Sequence, residues 1–214
     1  MDKDSGWRVI HQERAALADL LERLTPEEWE RPSLCEGWSV RDVAAHVIAA
    51  PELSVRQLVV AGWRARGNVN RAIHDEAERL ARRPTEEIVA DFRRLDWSRR
   101  PAPGLTYHEA LLDILVHFQD IAIPLGRSHD MPLDAAACAA DRARGRLGLM
   151  FGMKRKLAGY RLQATDTDWA AGKGALVRGP IAALLLLLTG RPALVSSLEG
   201  DGVPQLRQRL EATP

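Results

Sequence analysis

A mainly α-helical protein is what the sequence predicts: a bundle of amphipathic helices followed by a small C-terminal α+β appendage. Three observations lead there. Apolar residues recur at helical spacing through most of the first 155 residues. The breaks between these stretches carry helix-start and helix-stop residues. Near Gly159 the pattern changes and short strand-like runs take over. At 214 residues the chain is long enough for a sizeable core plus a small second region. We place the bundle over residues 1–155 and the C-terminal region over 156–214.

From Ser5 to Leu24, the residues Val9, Ile10, Ala16, Leu17, Leu20, Leu21 and Leu24 recur near helical spacing among charged residues, which predicts a first amphipathic helix. Thr25-Pro26-Glu27-Glu28 combines an N-cap, a proline at the first helical position and a capping-box glutamate, so a short helix starts there, with Trp29 anchoring it to the core. Ser39-Val40-Arg41-Asp42 is another start: the serine oxygen accepts from free amides, and Asp42 complements the positive helix end. The helix it opens carries His46. Pro51 lies within the continuing apolar pattern and predicts a break near Ala50, with helix resuming to about Arg66 and stopping at Gly67-Asn68. Further helices are predicted over about 70–83 and from Thr85 to about Trp97. Two prolines and a glycine in Arg100-Pro-Ala-Pro-Gly104 make a loop. Thr106-Tyr-His-Glu109 is then a capping box that opens the most apolar of the long helices, closed by Pro124 and Gly126. A helix over about 133–153 follows. Strands over 160–165 and 175–177 flank the turn-rich run from Asp166 to Gly174 and are predicted to form a small antiparallel pair. Gly179-Pro180 opens a leucine-rich helix ended by Gly190, and residues 203–210 form a last amphipathic helix.

Composition narrows the function. The 30 basic residues nearly cancel the 29 acidic ones, and no block of like charge occurs. This argues against a nucleic-acid groove or an anionic membrane surface and for a small-molecule partner. Two cysteines, Cys35 and Cys138, lack the paired spacing of a zinc knuckle or a redox motif, so the protein reads as reduced and cytoplasmic. The N-terminal residues lack the apolar core of a signal peptide. The most apolar run, Ile181 to Leu188, falls far short of the ~20 residues that span a bilayer and reads as a buried helix. Oligomeric state is left open.

Asp113-Ile-Leu-Val-His117, inside the apolar stretch from Ala110 to Leu125, is the most informative segment. A carboxylate and an imidazole four residues apart share one helix face. Such a pair can hold one metal ion if another element supplies a third ligand, for which His46 is the best candidate. Imidazole and carboxylate suit zinc above all, with nickel and other divalent ions as alternatives, and three protein ligands leave a coordination position open. Asp42, four residues before His46, and Asp120, three after His117, are spaced to accept the second imidazole hydrogen. Blander readings stand beside these. A single histidine among alanines and valines is more often a hydrogen-bonded core residue than a ligand. Asp113 in an apolar helix needs a partner, which an arginine would also satisfy. Cys35, next to Glu36 and without an evident cationic neighbour, reads as a packing residue. Trp38 and Trp169 read as structural anchors, and His11, His74, His108 and His129 as mostly solvated.

With these segments in view, Cys35-Glu-Gly-Trp-Ser-Val-Arg-Asp-Val-Ala-Ala-His46 resembles the first metal motif of the mycothiol-dependent maleylpyruvate isomerase family, and Asp113-Ile-Leu-Val-His117 resembles its second. Ala164-Thr-Asp-Thr-Asp-Trp169, Gly179-Pro180 with the leucine run, and Leu188-Thr-Gly-Arg191 are similar to the small C-terminal region of many members. The resemblance implies a DinB-like four-helix bundle with metal ligands at His46, Asp113 and His117. It also implies mycothiol as thiol co-substrate, activated as a metal-bound thiolate that attacks a small electrophile. Isomerisation about a double bond and thiol S-transfer both satisfy that chemistry. The alternative is a non-catalytic DinB-like metal-binding or stress-response protein. Family members ordinarily carry glutamate where this chain has Asp113, whose shorter side chain draws the carboxylate back toward its own helix. The family's C-terminal arginine has no motif match here, which leaves Arg178 and Arg191 unassigned.

Overall fold

The computed structural model describes residues 1–49, 51, 54, 56, 69–95, 97–145 and 152–212. It divides into two compact units, residues 2–129 and residues 130–214 together with Met1.

In the first unit, α1 (Lys3–Leu21) starts at Asp2, whose carboxylate accepts from the Ser5 amide at 2.9 Å. In α2 (Pro26–Trp29) the Thr25/Glu28 capping box is formed in both directions, and Trp29 is buried. α3 (Val40–Ala49) opens on a reciprocal pair: the Ser39 amide donates to Asp42 Oδ2 at 2.9 Å and the Asp42 amide to Ser39 Oγ at 3.2 Å. α4 (Val69–Ala81) and α5 (Thr85–Leu95) follow, and α6 (Tyr107–Ala122) starts at the Thr106/Glu109 capping box. The break expected near Ala50 and the helix expected beyond it to Arg66 fall outside the described residues.

Four of these helices close a ring, α1 on α6, α6 on α3, α3 on α5 and α5 back on α1, with α4 alongside α3. The reason is the helical period. Ile10, Leu17 and Leu21 on α1, Ile88 and Phe92 on α5, and Leu111, Ile114, Leu115 and Ile121 on α6 are fully buried, and each set lies along one stripe. Burying each such side chain contributes about 1.5–3 kcal/mol. At Gly6 a β-carbon would lie 2.5 Å from the ring of Tyr107, so α1 and the start of α6 approach more closely than alanine would allow.

In the second unit, α7 (Leu133–Arg144) packs against α9 (Ile181–Leu188). Ala135, Ala136, Ala139, Ala140 and Ala143 form its buried face, and the leucines of α9 are buried almost completely. Small side chains on one helix and large ones on the other interdigitate, and this packing places α7 in the unit that begins at residue 130, where the sequence reading set the division at 155/156. The helix expected over 133–153 ends at Arg144; residues 146–151 are outside the described set, and a short α8 (Met153–Lys156) follows.

The sheet corrects the expected hairpin. β1 (Tyr160–Ala164) pairs antiparallel with β2 (Ala170–Gly172), inside the run read as a turn, while β3 (Ala175–Gly179) lies on the other edge of β1 and runs parallel to it. Gly172 and Gly174 make this possible: both have positive φ, and β-carbons there would sit 2.3 Å and 1.9 Å from the carbonyl oxygens of Tyr160 and Gly159. The Asp166 carboxylate accepts from the Ile181 amide at 2.9 Å and so caps α9, whose start has no side-chain cap of its own. Trp169 donates its indole hydrogen to Asp141 Oδ1 at 3.0 Å, tying β2's approach to α7. A 3-10 segment (Pro192–Ser197) and α10 (Val203–Glu211) complete the unit. No helix among the described residues is long and apolar enough to cross a membrane.

Candidate metal centre

Because α6 packs against α3, the face of α6 that carries Asp113 and His117 meets His46. Asp113 Oδ1 lies 3.4 Å from Nε2 of His46 and 3.4 Å from Nε2 of His117. The two imidazoles stand nearly perpendicular, with ring centroids 4.9 Å apart. All three side chains are half-buried, with 18%, 29% and 12% of their surfaces exposed for His46, Asp113 and His117.

The electrostatics follow from this crowding. Burial pushes the Asp113 carboxyl up, but His117 and then His46 outweigh it and hold the group far below the usual carboxylate range. Burial pulls His117 down, and the Asp113 charge, aided by hydrogen bonds to Asp113, Asp120 and Cys35, raises it well above an ordinary histidine. In the absence of a cation, the cluster therefore stores a proton on His117 beside an ionised Asp113.

Ligands of one tetrahedral ion with bonds of about 2.0–2.1 Å sit about 3.3 Å from each other. The two 3.4 Å separations at Asp113 match that edge, so the donor set of two imidazole nitrogens and one carboxylate oxygen suits a single divalent ion of the zinc type. The shorter side chain of Asp113 reaches both histidines.

His117 has a second set of neighbours. Its Nδ1 is 2.8 Å from Asp120 Oδ2, and the Cys35 thiol donates to the same oxygen at 3.1 Å, with Cys35 Sγ 3.8 Å from Nδ1. Cys35, His117 and Asp120 form a second metal-compatible group by residue type, but 2.8 Å is a hydrogen-bond length, shorter than the spacing of two donors on one tetrahedral ion. Of the two carboxylates spaced to back the histidines, Asp120 contacts His117, whereas Asp42 is engaged with Ser39 at the start of α3. Cys35 is thus more than the packing residue the sequence suggested. Its proximity to His117 depends on a loop docking on a helix more than 80 residues away, which spacing along the chain does not reveal.

That loop, residues 33–39, also supplies Trp38. Its indole meets the His46 ring edge-on at 5.4 Å and lies 5.7 Å from His74, which itself pairs with Glu78 at 3.2 Å. Asp113 also lines an open cleft walled by Val47, Pro101, Leu105 and Ile114, with Arg14 and Glu109 among its polar residues. His129, expected to be solvated, is half-buried: it stacks on Phe118 at 3.6 Å and bonds to the buried Glu13 at 2.7 Å. In the second unit, Arg178 pairs with Glu199 at 2.9 Å and Arg191 donates to the Thr189 carbonyl at 2.6 Å.

Residues 10–100 match the family described as the mycothiol maleylpyruvate isomerase N-terminal domain. The matched stretch includes His46 and stops short of Asp113. Among solved structures, the crystal structure of a histidine-to-alanine mutant of the mycothiol-dependent maleylpyruvate isomerase is similar over 94% of this chain and 93% of that chain, with a TM-score of 0.65 and 13% identity. The crystal structure of the mycothiol-dependent maleylpyruvate isomerase itself is similar over the same shares, with a TM-score of 0.64 and 14% identity. These likenesses carry the fold, a DinB-like bundle with a small α+β region. No curated protein matches the sequence.

Proposed function

We propose, from the match of residues 10–100 to the mycothiol maleylpyruvate isomerase N-terminal domain family, that the chain is a metal-dependent, mycothiol-using enzyme, an isomerase in the first instance. The observation that carries the proposal is the placement of Asp113 Oδ1 3.4 Å from Nε2 of His46 and 3.4 Å from Nε2 of His117, with Asp113 lining an open cleft.

In this reading His46 and His117 each present Nε2, and Asp113 presents Oδ1, to one divalent ion, with zinc preferred for its donor set. A divalent ion held there acts as a Lewis acid that lowers the pKa of a thiol co-substrate and favours the nucleophilic thiolate near neutral pH. The chain's residues hold and orient. Asp120 contacts His117 Nδ1, Trp38 walls His46 on one side, and the cleft beside Asp113 offers an apolar surface to a small electrophile. Cis–trans isomerisation needs only a nucleophile that adds and leaves. Sulfur adds to one carbon of an activated alkene, the former double bond rotates, the new C–S bond breaks, and the thiol is regenerated. An electrophile with a leaving group would instead keep the sulfur, which is S-transfer.

The test is metal content together with thiol-dependent turnover. Purified protein is expected to hold about one divalent ion per chain, and His46→Ala and His117→Ala each to lose both the ion and any turnover that requires mycothiol. Normal metal content in both variants would remove the assignment. Turnover of an activated cis-alkene with thiol regenerated supports the isomerase, and consumption of thiol with each turnover supports the transferase.

A further inference from the structure

We infer that Asp120, with the Cys35 thiol on the same carboxylate oxygen, is the positioning residue that holds the neutral His117 ring, once its second proton has left, as the Nδ1–H tautomer with the Nε2 lone pair toward Asp113 and His46. This deepens the proposed metal site, yet its first readout needs no metal.

Asp120 is fully buried, and its Oδ2 lies 2.8 Å from His117 Nδ1 and 3.1 Å from Cys35 Sγ. An ionised carboxylate accepts only, so each of these contacts requires the hydrogen to come from the partner. Helix geometry sets the first contact, since residues three apart on α6 share a face. The loop sets the second. Ser33 Oγ donates to the Trp38 carbonyl at 2.8 Å and accepts from the Cys35 amide at 3.1 Å, and the Leu34 amide donates to the Asp120 carbonyl at 3.1 Å. Cys35 is thereby clamped over the last turns of α6. With Nδ1 committed to Asp120, the neutral ring has one free lone pair, and it lies on Nε2, the atom 3.4 Å from Asp113. Carboxylate partners of this kind fix both the tautomer and the ring orientation of a ligating histidine. His46 has Trp38 against its ring where His117 has a carboxylate, so His117 is the histidine whose nitrogen assignment this network determines.

The experiment is long-range 1H–15N NMR on the metal-free, full-length protein at a pH where His117 is neutral. Protonated Nδ1 and bare Nε2 are expected; a predominant Nε2–H tautomer in the wild-type protein overturns the inference without any variant. Asp120→Asn keeps the volume but can donate as well as accept, so His117 is expected to populate both tautomers. Zinc affinity, measured by competition with a chromophoric chelator, is then expected to fall about 10- to 100-fold at unchanged helical content. Cys35→Ser, which keeps a hydroxyl donor, is expected to retain the wild-type tautomer. Asp120→Asn with an unchanged tautomer and unchanged zinc affinity overturns the proposal. If the wild-type protein binds no zinc, the metal reading falls while the tautomer spectrum still decides the role of Asp120.

Discussion

Lengthening Asp113 by one methylene probes whether its carboxylate already reaches the ion site. Oδ1 stands 3.4 Å from both imidazole Nε2 atoms, which leaves a slack of about 0.1 Å relative to neighbouring donors on a tetrahedral ion. An added C–C bond is about 1.5 Å long. In Asp113→Glu the longer side chain must either overshoot the point shared by the two histidines or fold back into a strained rotamer at about 0.5–1.5 kcal/mol. The upper end of that range is close to a tenfold loss, about 1.4 kcal/mol. Zinc affinity measured against a chromophoric chelator at fixed pH is therefore expected to weaken by roughly 2- to 10-fold. Asp113→Asn, of unchanged length but without charge, is expected to bind more weakly still, because a neutral amide oxygen replaces an anionic ligand. The reasoning is refuted if Asp113→Glu binds zinc more tightly than the wild-type protein. That result would mean that the aspartate falls short and that a glutamate is the better fit.

Proton competition gives a second expectation. His117 lies well above its ordinary value in the metal-free cluster, so zinc uptake must displace its proton, and apparent affinity should rise about tenfold per pH unit until that raised value is passed. Proton release followed by calorimetry in buffers of different ionisation enthalpy checks this, and zero release near neutral pH would contradict it. The same shifts shape the stability of the metal-free protein. The His117 contribution is full below the ordinary histidine range and is lost as pH rises through its raised value, whereas the Asp113 contribution is present above the ordinary carboxylate range and is lost as pH falls. Thr106→Ala removes the hydroxyl that accepts from the His108 amide and donates to Glu109 at the start of α6. It should cost about 1 kcal/mol, a melting shift of about 2–4 °C in a chain of this size, with zinc affinity retained because Asp113 lies two turns on. Asp166→Ala leaves the Ile181 amide of α9 without its carboxylate partner. About 1–3 kcal/mol of destabilisation is expected in denaturant titration.

Much of the bundle was legible because its signals are local. The Thr25, Ser39 and Thr106 starts are each written in three or four consecutive residues, and their hydrogen bonds close where the sequence placed them. The apolar stripes of α1 and α6 needed only the helical period. What the sequence misplaced depends on partners distant along the chain. The 175–177 run has the composition of a strand, but its direction relative to β1 is decided by whether Gly172 and Gly174 let the chain cross to the far edge, and composition does not encode that. The alanine face of α7 is too weakly hydrophobic to declare whether it serves the bundle or the leucine helix. His129 looked solvated because its neighbours in sequence are polar, yet Phe118 and Glu13 come to it from two helices.

The same contrast explains why the segment from Cys35 to His46 is a useful marker. Read as spacing, it offers one candidate ligand, His46, preceded by residues of no evident chemistry. In the fold, the segment touches both histidines at once: Trp38 lies against His46, and Cys35 reaches His117 through Asp120. The tight turn at Gly37, with φ of +77°, lets the four residues from Cys35 to Trp38 span these two contacts. Thr, Val or another ordinary residue at Gly37 would strain the backbone where Cys35 and Trp38 must diverge toward different rings. The cysteine, the glycine and the tryptophan therefore form one device. It clamps the loop to the last turns of α6 on one side and walls α3 on the other, so that the two helices bearing the candidate ligands are held in register by a segment that itself supplies only His46.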